Sequence, residues 1–187
     1  MPKLKNLYDV NNMFAYCYSL TNVVMPAVET LTLDSFTYEF DNYLFLKCNN
    51  LKNLSFPNLK KSYYNNGRTT LRNLCYNCIN LENVYMPITN LVTNTGLNYN
   101  NFYEAFKYCY NLKNITLGMD SAKLLKVGNF PGNIPTSAVF HCPSEAPYDV
   151  DVVYKNGKWQ SITNGTFKLV KFIKGTGTQY INTGVVY

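Results

Sequence analysis

Six cysteines and a single histidine are the residues of this chain best suited to chemistry, because thiolates and imidazoles bind metals and act as nucleophiles or bases. The segment CYNC places Cys75 and Cys78 at the spacing of a redox motif or of half a zinc site. A zinc site needs a second pair of ligands, no such pair follows, and His141 lies more than 60 residues further along. The sequence therefore predicts no metal or redox site and no cofactor.

Histidine, carboxylates and glycines form no recognisable catalytic pattern either. His141 has no Gly-x-Ser-x-Gly nucleophile elbow to act with. Asp149 and Asp151 alternate along a predicted strand and could share one face, an arrangement more typical of a surface than of a calcium site. The segment KGTGTQ lacks the spacing of a phosphate-binding loop. We therefore predict a non-enzymatic protein with no catalytic residues.

Most of the cysteines belong to an internal repeat. Cys17, Cys48, Cys78 and Cys109 are separated by 31, 30 and 31 residues, and each is followed by leucine, asparagine and two apolar residues at fixed positions. A period between about 20 and 50 residues is typical of stacked repeat architectures. We expect these cysteines to form one interior column of free thiols, and Cys75, which replaces a phenylalanine of the other repeats, to be a core substitution.

Each repeat combines two periodicities. The segment Met13–Leu20 has apolar residues at i, i+1, i+4 and i+7, which predicts one or two helical turns. The segment after the asparagine alternates apolar and variable residues, which predicts a short strand with one buried face. The asparagines, predicted to satisfy backbone groups where the chain bends into each strand, are Asn22, Asn53, Asn83 and Asn114.

This pattern resembles the repeat of BspA-like leucine-rich repeat proteins, which reads roughly A-F-x-x-C-x-x-L-x-x-I-x-I-P. The match covers residues 1 to about 145, as about four units of 30 to 31 residues and a terminal half-repeat, although these units are longer than the usual unit of the family. Gly118 replaces the proline that ends the motif in the other copies. The resemblance implies an α/β leucine-rich-repeat solenoid with short stacked parallel strands, helical turns and a C-terminal β-hairpin cap.

The remaining residues differ from the repeat. Within 146–168, YDVDVVYKNGKWQSI predicts two strands joined by an Asn-Gly turn at Asn156 and Gly157, with Trp159 on the second strand. Within 169–187, FIKGTGTQYINTG resembles the opening strand of concanavalin-like or laminin-G-like lectin domains, found in phage tail proteins and surface proteins of gut bacteria. This second resemblance implies the start of a lectin-like β-sandwich.

The composition is that of a folded chain and excludes several partners. Its 47% hydrophobic and 16% aromatic residues are enough for a core without metals or disulfides. The net charge of +6 comes from dispersed lysines, which argues against a nucleic-acid groove. No apolar run reaches the length that a membrane span requires, and the first residues do not resemble a signal peptide.

A recognition surface is the function that remains. Outward positions of the predicted strands vary between copies whose inward positions are constant, as expected where a surface contacts a ligand. The hypothesis is an adhesion module of a phage fibre (a virion component) or of a bacterial cell-surface protein. It would bind a host cell-surface protein or glycan, with other virion or surface subunits, including a second copy of the chain, as further partners. The alternative is a structural spacer that presents a downstream lectin-like domain. The predicted binding residues are Thr21, Val24, Lys52, Ser55, Glu82, Tyr85, Lys113 and Thr116.

Overall fold

The computed structural model describes residues 4–8, 10, 12–32, 43–63, 71, 73–88, 105–118, 134–142 and 148–167. These residues form ten strands in a three-stranded and a seven-stranded sheet. In chain order the strands are β1 (Asn6–Leu7), β2 (Asn22–Val24), β3 (Thr30–Thr32), β4 (Asn53–Ser55), β5 (Lys61–Tyr63), β6 (Asn83–Met86), β7 (Asn114–Leu117), β8 (Val139–Cys142), β9 (Tyr148–Lys155) and β10 (Lys158–Phe167).

The seven-stranded sheet has the order β10-β9-β8-β7-β6-β4-β2. Strands β2, β4, β6, β7 and β8 pair in parallel, whereas β8 with β9 and β9 with β10 are antiparallel. Each asparagine of the repeat lies opposite the asparagine of the next repeat. Because the register never shifts between these strands, equivalent positions of the four repeats form straight columns across the sheet.

The smaller sheet has the order β1-β3-β5, and both of its pairings are parallel. Lys5 and Lys60 flank Glu29 at the start of these strands, with Nζ to carboxylate distances of 3.0 and 2.7 Å. These two hydrogen-bonded lysines lower the pKa of Glu29 below its ordinary value, Lys60 more than Lys5. Charge therefore alternates from Lys5 to Glu29 to Lys60 across the three strands. This favours the order β1-β3-β5, because a pairing of β1 with β5 would place the two lysines side by side.

The predicted α/β leucine-rich-repeat solenoid with helical turns is wrong. Within the described residues the chain forms strands and turns without any helix, and the strands lie in two sheets. The segment Met13–Leu20, predicted to be helical, consists of turns. The error extends to the fold class as a whole, because the described part of the chain is mostly β-structure.

Hydrogen bonding explains why no helix forms in the turn segments. The N–H of Phe14 donates to the carbonyl oxygen of Leu44 at 3.1 Å, and that of Tyr16 to Leu46 at 2.7 Å. An α-helix would instead direct each N–H to the carbonyl four residues earlier. Tyr16 also has a left-handed φ of 61°, which ends any right-handed turn. Apolar spacing is similar for a helix and for such turns, so the periodicity could not distinguish them.

The core contains the cysteine column that the sequence predicts. Cys48, Cys78 and Cys109 are fully buried, Cys17 packs against the core at its edge, and all six cysteines are free thiols. Three equivalent sulfur-to-carbonyl hydrogen bonds join the repeats at 2.9 Å: Cys48 to Phe14, Cys78 to Phe45, and Cys109 to Cys75. The prediction of buried free thiols is confirmed for Cys48, Cys78 and Cys109, as is the burial of Cys75, whereas Cys17 is only partly buried.

We expect Cys17 to react with a thiol reagent well before the other five cysteines of the native protein. The other five are buried, and burial raises the pKa of the Cys109 thiol, which makes its reactive thiolate scarce. A chromogenic disulfide added at neutral pH should react quickly with one thiol, that of Cys17. It should react with the five buried thiols only at the rate of unfolding. Cys17→Ala should remove the fast phase alone, and a fast phase of several equivalents would contradict this burial.

The hairpin formed by β9 and β10 lies at the β8 edge of the parallel strands. Asn156 and Gly157 have φ values of 55° and 76°, as a two-residue type I′ turn requires. Phe140 and Cys142 of β8 point inward, and both are buried. The Trp159 ring packs edge-on against Phe140 with centroids 5.8 Å apart, so the second strand of the hairpin covers the end of the core.

The predicted lectin-like start at 169–187 lies outside the described residues and stays a prediction. The same is true of most of the long segments between strands, including 33–42, 64–70, 89–104 and 119–133. The proposed domain boundaries at about 145 and 168 therefore remain interpretations of the sequence.

Candidate functional site: the outward face of the seven-stranded sheet

One exposed column crosses the middle of the seven-stranded sheet. Val24 pairs with Ser55, Ser55 with Tyr85, and Tyr85 with Thr116. Val24 is 64% exposed and Tyr85 45% exposed, while Ser55 and Thr116 are half-buried. The structure therefore brings these four predicted binding residues into one contiguous line.

The other four predicted binding residues form a parallel column just before the strands. The N–H of Lys52 donates to the carbonyl oxygen of Thr21 at 2.8 Å, that of Glu82 to Lys52 at 2.9 Å, and that of Lys113 to Glu82 at 2.9 Å. Thr21, Lys52 and Lys113 are exposed, and Glu82 is half-buried. The eight predicted residues therefore form two neighbouring columns that reach the surface, and we call the surface made by both columns the sheet face.

Charge on the sheet face alternates in sign. Lys113 Nζ lies 2.8 Å from the Glu82 carboxylate, and its hydrogen bond lowers the pKa of Glu82 below the ordinary value, with a smaller contribution from Lys52. Because the folded-state pKa is lowered, this ion pair stabilises the fold at neutral pH and is lost as the pH falls through that value. At neutral pH the sheet face therefore presents one neutralised pair and the additional positive charge of Lys52.

Between the two columns lies a ladder of asparagine side chains, which we call the asparagine ladder. Nδ2 of Asn53 donates to Oδ1 of Asn22 at 2.6 Å, and the same bond joins Asn83 to Asn53 and Asn114 to Asn83, both at 2.8 Å. The interpretation that these asparagines satisfy backbone groups at a bend is wrong. Constant register places the amides directly over one another, so they bond to each other.

His141 ends the asparagine ladder. It pairs with Thr116 in the register of β7 and β8, its Nε2 lies 3.2 Å from Oδ1 of Asn114, and its Nδ1 lies 2.9 Å from a carboxylate oxygen of Asp151. Both ring nitrogens face oxygen atoms, and the tautomer decides which of them donates. The histidine thus anchors the ladder to the hairpin strand β9 and has no nucleophile beside it among these contacts.

A second exposed surface lies on the turns that precede and follow the cysteines, and we call it the turn face. Sequence reasoning did not identify this surface. The signal was present, because tyrosine or lysine recurs directly before the cysteine in three of four repeats. The main residues of the turn face are Tyr16, Tyr18, Lys47, Tyr76, Tyr108 and Tyr110.

The described residues contain neither a cluster of metal ligands nor a membrane-spanning helix. No group of three or more histidine, cysteine, aspartate or glutamate side chains is arranged there to hold a metal ion. No helix in the same ranges is both long enough and apolar enough to cross a lipid bilayer.

Comparisons with protein-family models, with curated proteins and with solved structures find no match to this chain. The resemblances to BspA-like repeats and to lectin-like domains therefore stay predictions from the sequence.

Proposed function

We propose that this chain is a non-enzymatic recognition module that binds a host cell-surface protein or glycan through the sheet face. The observation that supports it is the exposure of Val24 and Tyr85, 64% and 45%, within the strands of an ordered sheet. A tyrosine ring offers a large contact area and a hydroxyl group while losing little rotamer freedom on binding. Lys52 adds a positive charge beside this contact area.

The asparagine ladder makes the sheet face suited to a ligand rich in hydroxyl or amide groups. An amide can donate two hydrogen bonds and accept two. Asn53 and Asn83 each donate one hydrogen bond and accept one within the ladder. Each therefore retains one donor position and one acceptor position for a ligand. Because the ladder already holds these groups in place, a ligand that bonds to them loses little free energy in ordering the protein.

The context that we propose is a phage fibre or a bacterial surface protein, and the resemblance of 169–187 to the start of a lectin-like domain supports it. Both contexts require contact with the outside of a host cell. The spacer hypothesis differs in one measurable respect, because it requires no affinity in the 187 residues themselves.

The test measures binding of the purified, labelled chain to an array of defined glycans and to a panel of purified extracellular-matrix proteins. For any ligand found, we expect Tyr85→Ala combined with Lys52→Ala to weaken binding about tenfold or more, since central contact residues carry most of the affinity. The matched control is Tyr8→Ala, because Tyr8 is 62% exposed and follows β1 of the other sheet. Absence of any ligand, or equal binding by the double variant, would favour the spacer instead.

A further inference from the structure

Backbone hydrogen bonds hold successive turns side by side. The N–H of Tyr16 donates to Leu46, that of Lys47 to Tyr76, and that of Asn77 to Lys107, at 2.7, 3.0 and 2.7 Å. These bonds join equivalent positions, so the residues directly before the cysteines form a single row. Hydrogen bonds therefore align the turns of successive repeats in the way that a ladder aligns strands.

Aromatic rings along the turn face contact one another. Tyr76 lies edge-on to Tyr43 and to Tyr108, with centroid distances of 5.1 and 5.4 Å, and Tyr108 lies 6.0 Å from Tyr110. Tyr16 and Tyr18 form a similar pair at 6.3 Å. The rings thus form an extended surface of phenol groups, on which Tyr110 is 68% exposed.

Lysine is the only charged residue type among these turns. Lys47 Nζ lies 5.6 Å from the centre of the Tyr16 ring, and Lys107 Nζ lies 5.5 and 5.3 Å from the Tyr76 and Tyr108 rings. The segments 12–19, 43–50, 73–80 and 105–111 contain no aspartate or glutamate. Cation–π contact holds each ammonium group over a ring, so the turn face combines aromatic area with fixed positive charge.

The backbone conformation indicates that this composition is not set by stability. Tyr16, Lys47 and Tyr108 have φ values of 61°, 52° and 63°, in the left-handed region that disfavours bulky residues. Asn77 occupies the same position in the third repeat with a φ of 59°, and asparagine tolerates this region better. Tyrosine and lysine at three strained positions therefore point to a role beyond folding.

We propose that the turn face is a second binding site, for a linear polysaccharide that carries carboxylate groups. The C–H groups of a sugar ring are attracted to the negative face of a phenol ring, and the phenol hydroxyls bond to sugar hydroxyls. The exposed Lys47 pairs with carboxylates along the polymer. A polymer suits the turn face because each of the four repeats contributes at least one tyrosine to it, and the second and fourth repeats also contribute a lysine. The site is independent of the sheet face and uses none of its residues.

Calorimetry with a hyaluronan hexasaccharide as probe tests this proposal, since that oligosaccharide alternates carboxylated and neutral sugars. We expect binding that weakens as salt rises to about 0.3 M, where exposed charges are screened. The hexasaccharide of N-acetylglucosamine tests the need for charge, and hexaglutamate tests the need for sugar rings. Both should bind at least about tenfold more weakly. Equal binding of either comparator, or no binding of hyaluronan at millimolar concentration, would overturn the proposal.

Variants separate a binding role from a structural one. Tyr108→Asn introduces the residue type that Asn77 has at the same position of the third repeat, where φ is also positive. We expect unchanged or higher thermal stability, because asparagine tolerates this φ better than tyrosine. We expect hyaluronan binding to be about fivefold to tenfold weaker, because a phenol ring is lost. Tyr110→Ala and Lys47→Ala should also weaken binding, whereas Tyr8→Ala should not. Unchanged binding by Tyr108→Asn and Tyr110→Ala would refute the site.

The two proposed sites can fail separately. Substitution of Tyr85 and Lys52 on the sheet face should leave hyaluronan binding intact, and Tyr108→Asn should leave binding of a sheet-face ligand intact. Loss of hyaluronan binding in the sheet-face variant would show that the turn face is not its site.

Discussion

Leu81→Ala is expected to lower the free energy of unfolding by roughly 2–5 kcal/mol. Leu81 is the leucine of the third repeat, three residues after Cys78, and its side chain is fully buried within the core. Truncation to alanine removes apolar contacts and leaves a cavity that the hydrogen-bonded turns and strands on either side cannot close. Urea unfolding followed by circular dichroism measures the change.

The first repeat offers a matched control. Leu20 holds the same position relative to Cys17, but it is only partly buried at the edge of the core. Leu20→Ala should therefore cost clearly less, about half as much or under, because less apolar surface is lost and solvent can fill the space. Equal losses from the two variants would show that the interior of the repeats is not packed as described.

Gly118→Ala is expected to destabilise the protein by roughly 1–3 kcal/mol. The cause is a steric clash of the added Cβ, and not an unfavourable backbone φ. A Cβ at Gly118 would lie 2.2 Å from the carbonyl oxygen of Pro87 and 2.6 Å from its carbonyl carbon. Both are backbone atoms, which cannot rotate away as a flexible side chain does. The N–H of Gly118 also donates to Ile88 at 3.2 Å, so relief of the clash would break a bond between repeats.

Gly157 is the natural comparison, because it requires glycine for a different reason. Its φ is 76°, and a Cβ there would meet nothing within 4 Å. We expect Gly157→Ala to cost about 1 kcal/mol and Gly157→Asn less, since asparagine tolerates positive φ. Gly118→Asn should remain at least as destabilising as Gly118→Ala. Thermal melts of the four variants measure this, and rescue by asparagine at 118 would contradict a steric origin.

The inward positions of the repeat could be predicted from the sequence. The constant spacing of Cys48, Cys78 and Cys109 indicated one buried column of free thiols. In the structure these three thiols are buried and free. The alternation around Val24 and Tyr85 likewise indicated which strand residues point outward. A strand with one buried face has an apolar residue at every second position. Such positions can therefore be identified from the sequence pattern without coordinates.

The turns were predicted wrongly because their structure depends on neighbours in space. Apolar spacing at Met13–Leu20 is compatible with a helix, but Phe14 and Tyr16 donate their N–H groups to the next repeat. The sequence of one repeat contains no information about which carbonyl a given N–H will meet. These contacts between repeats are the reason why the described residues form strands and turns and no helix.

The repeat period, the buried thiols, the outward residues of the strands and the Asn156–Gly157 turn are properties that the sequence by itself determined, because each follows from local spacing or local conformation. Tertiary structure alone decided the asparagine ladder, the end of that ladder at His141 and Asp151, and the row of rings and lysines on the turn face. These features require residues of different strands or repeats, 10 to 31 positions apart in the contacts His141–Asp151 and Asn114–Asn83, to meet in register, and only the pairing of strands and turns sets that register.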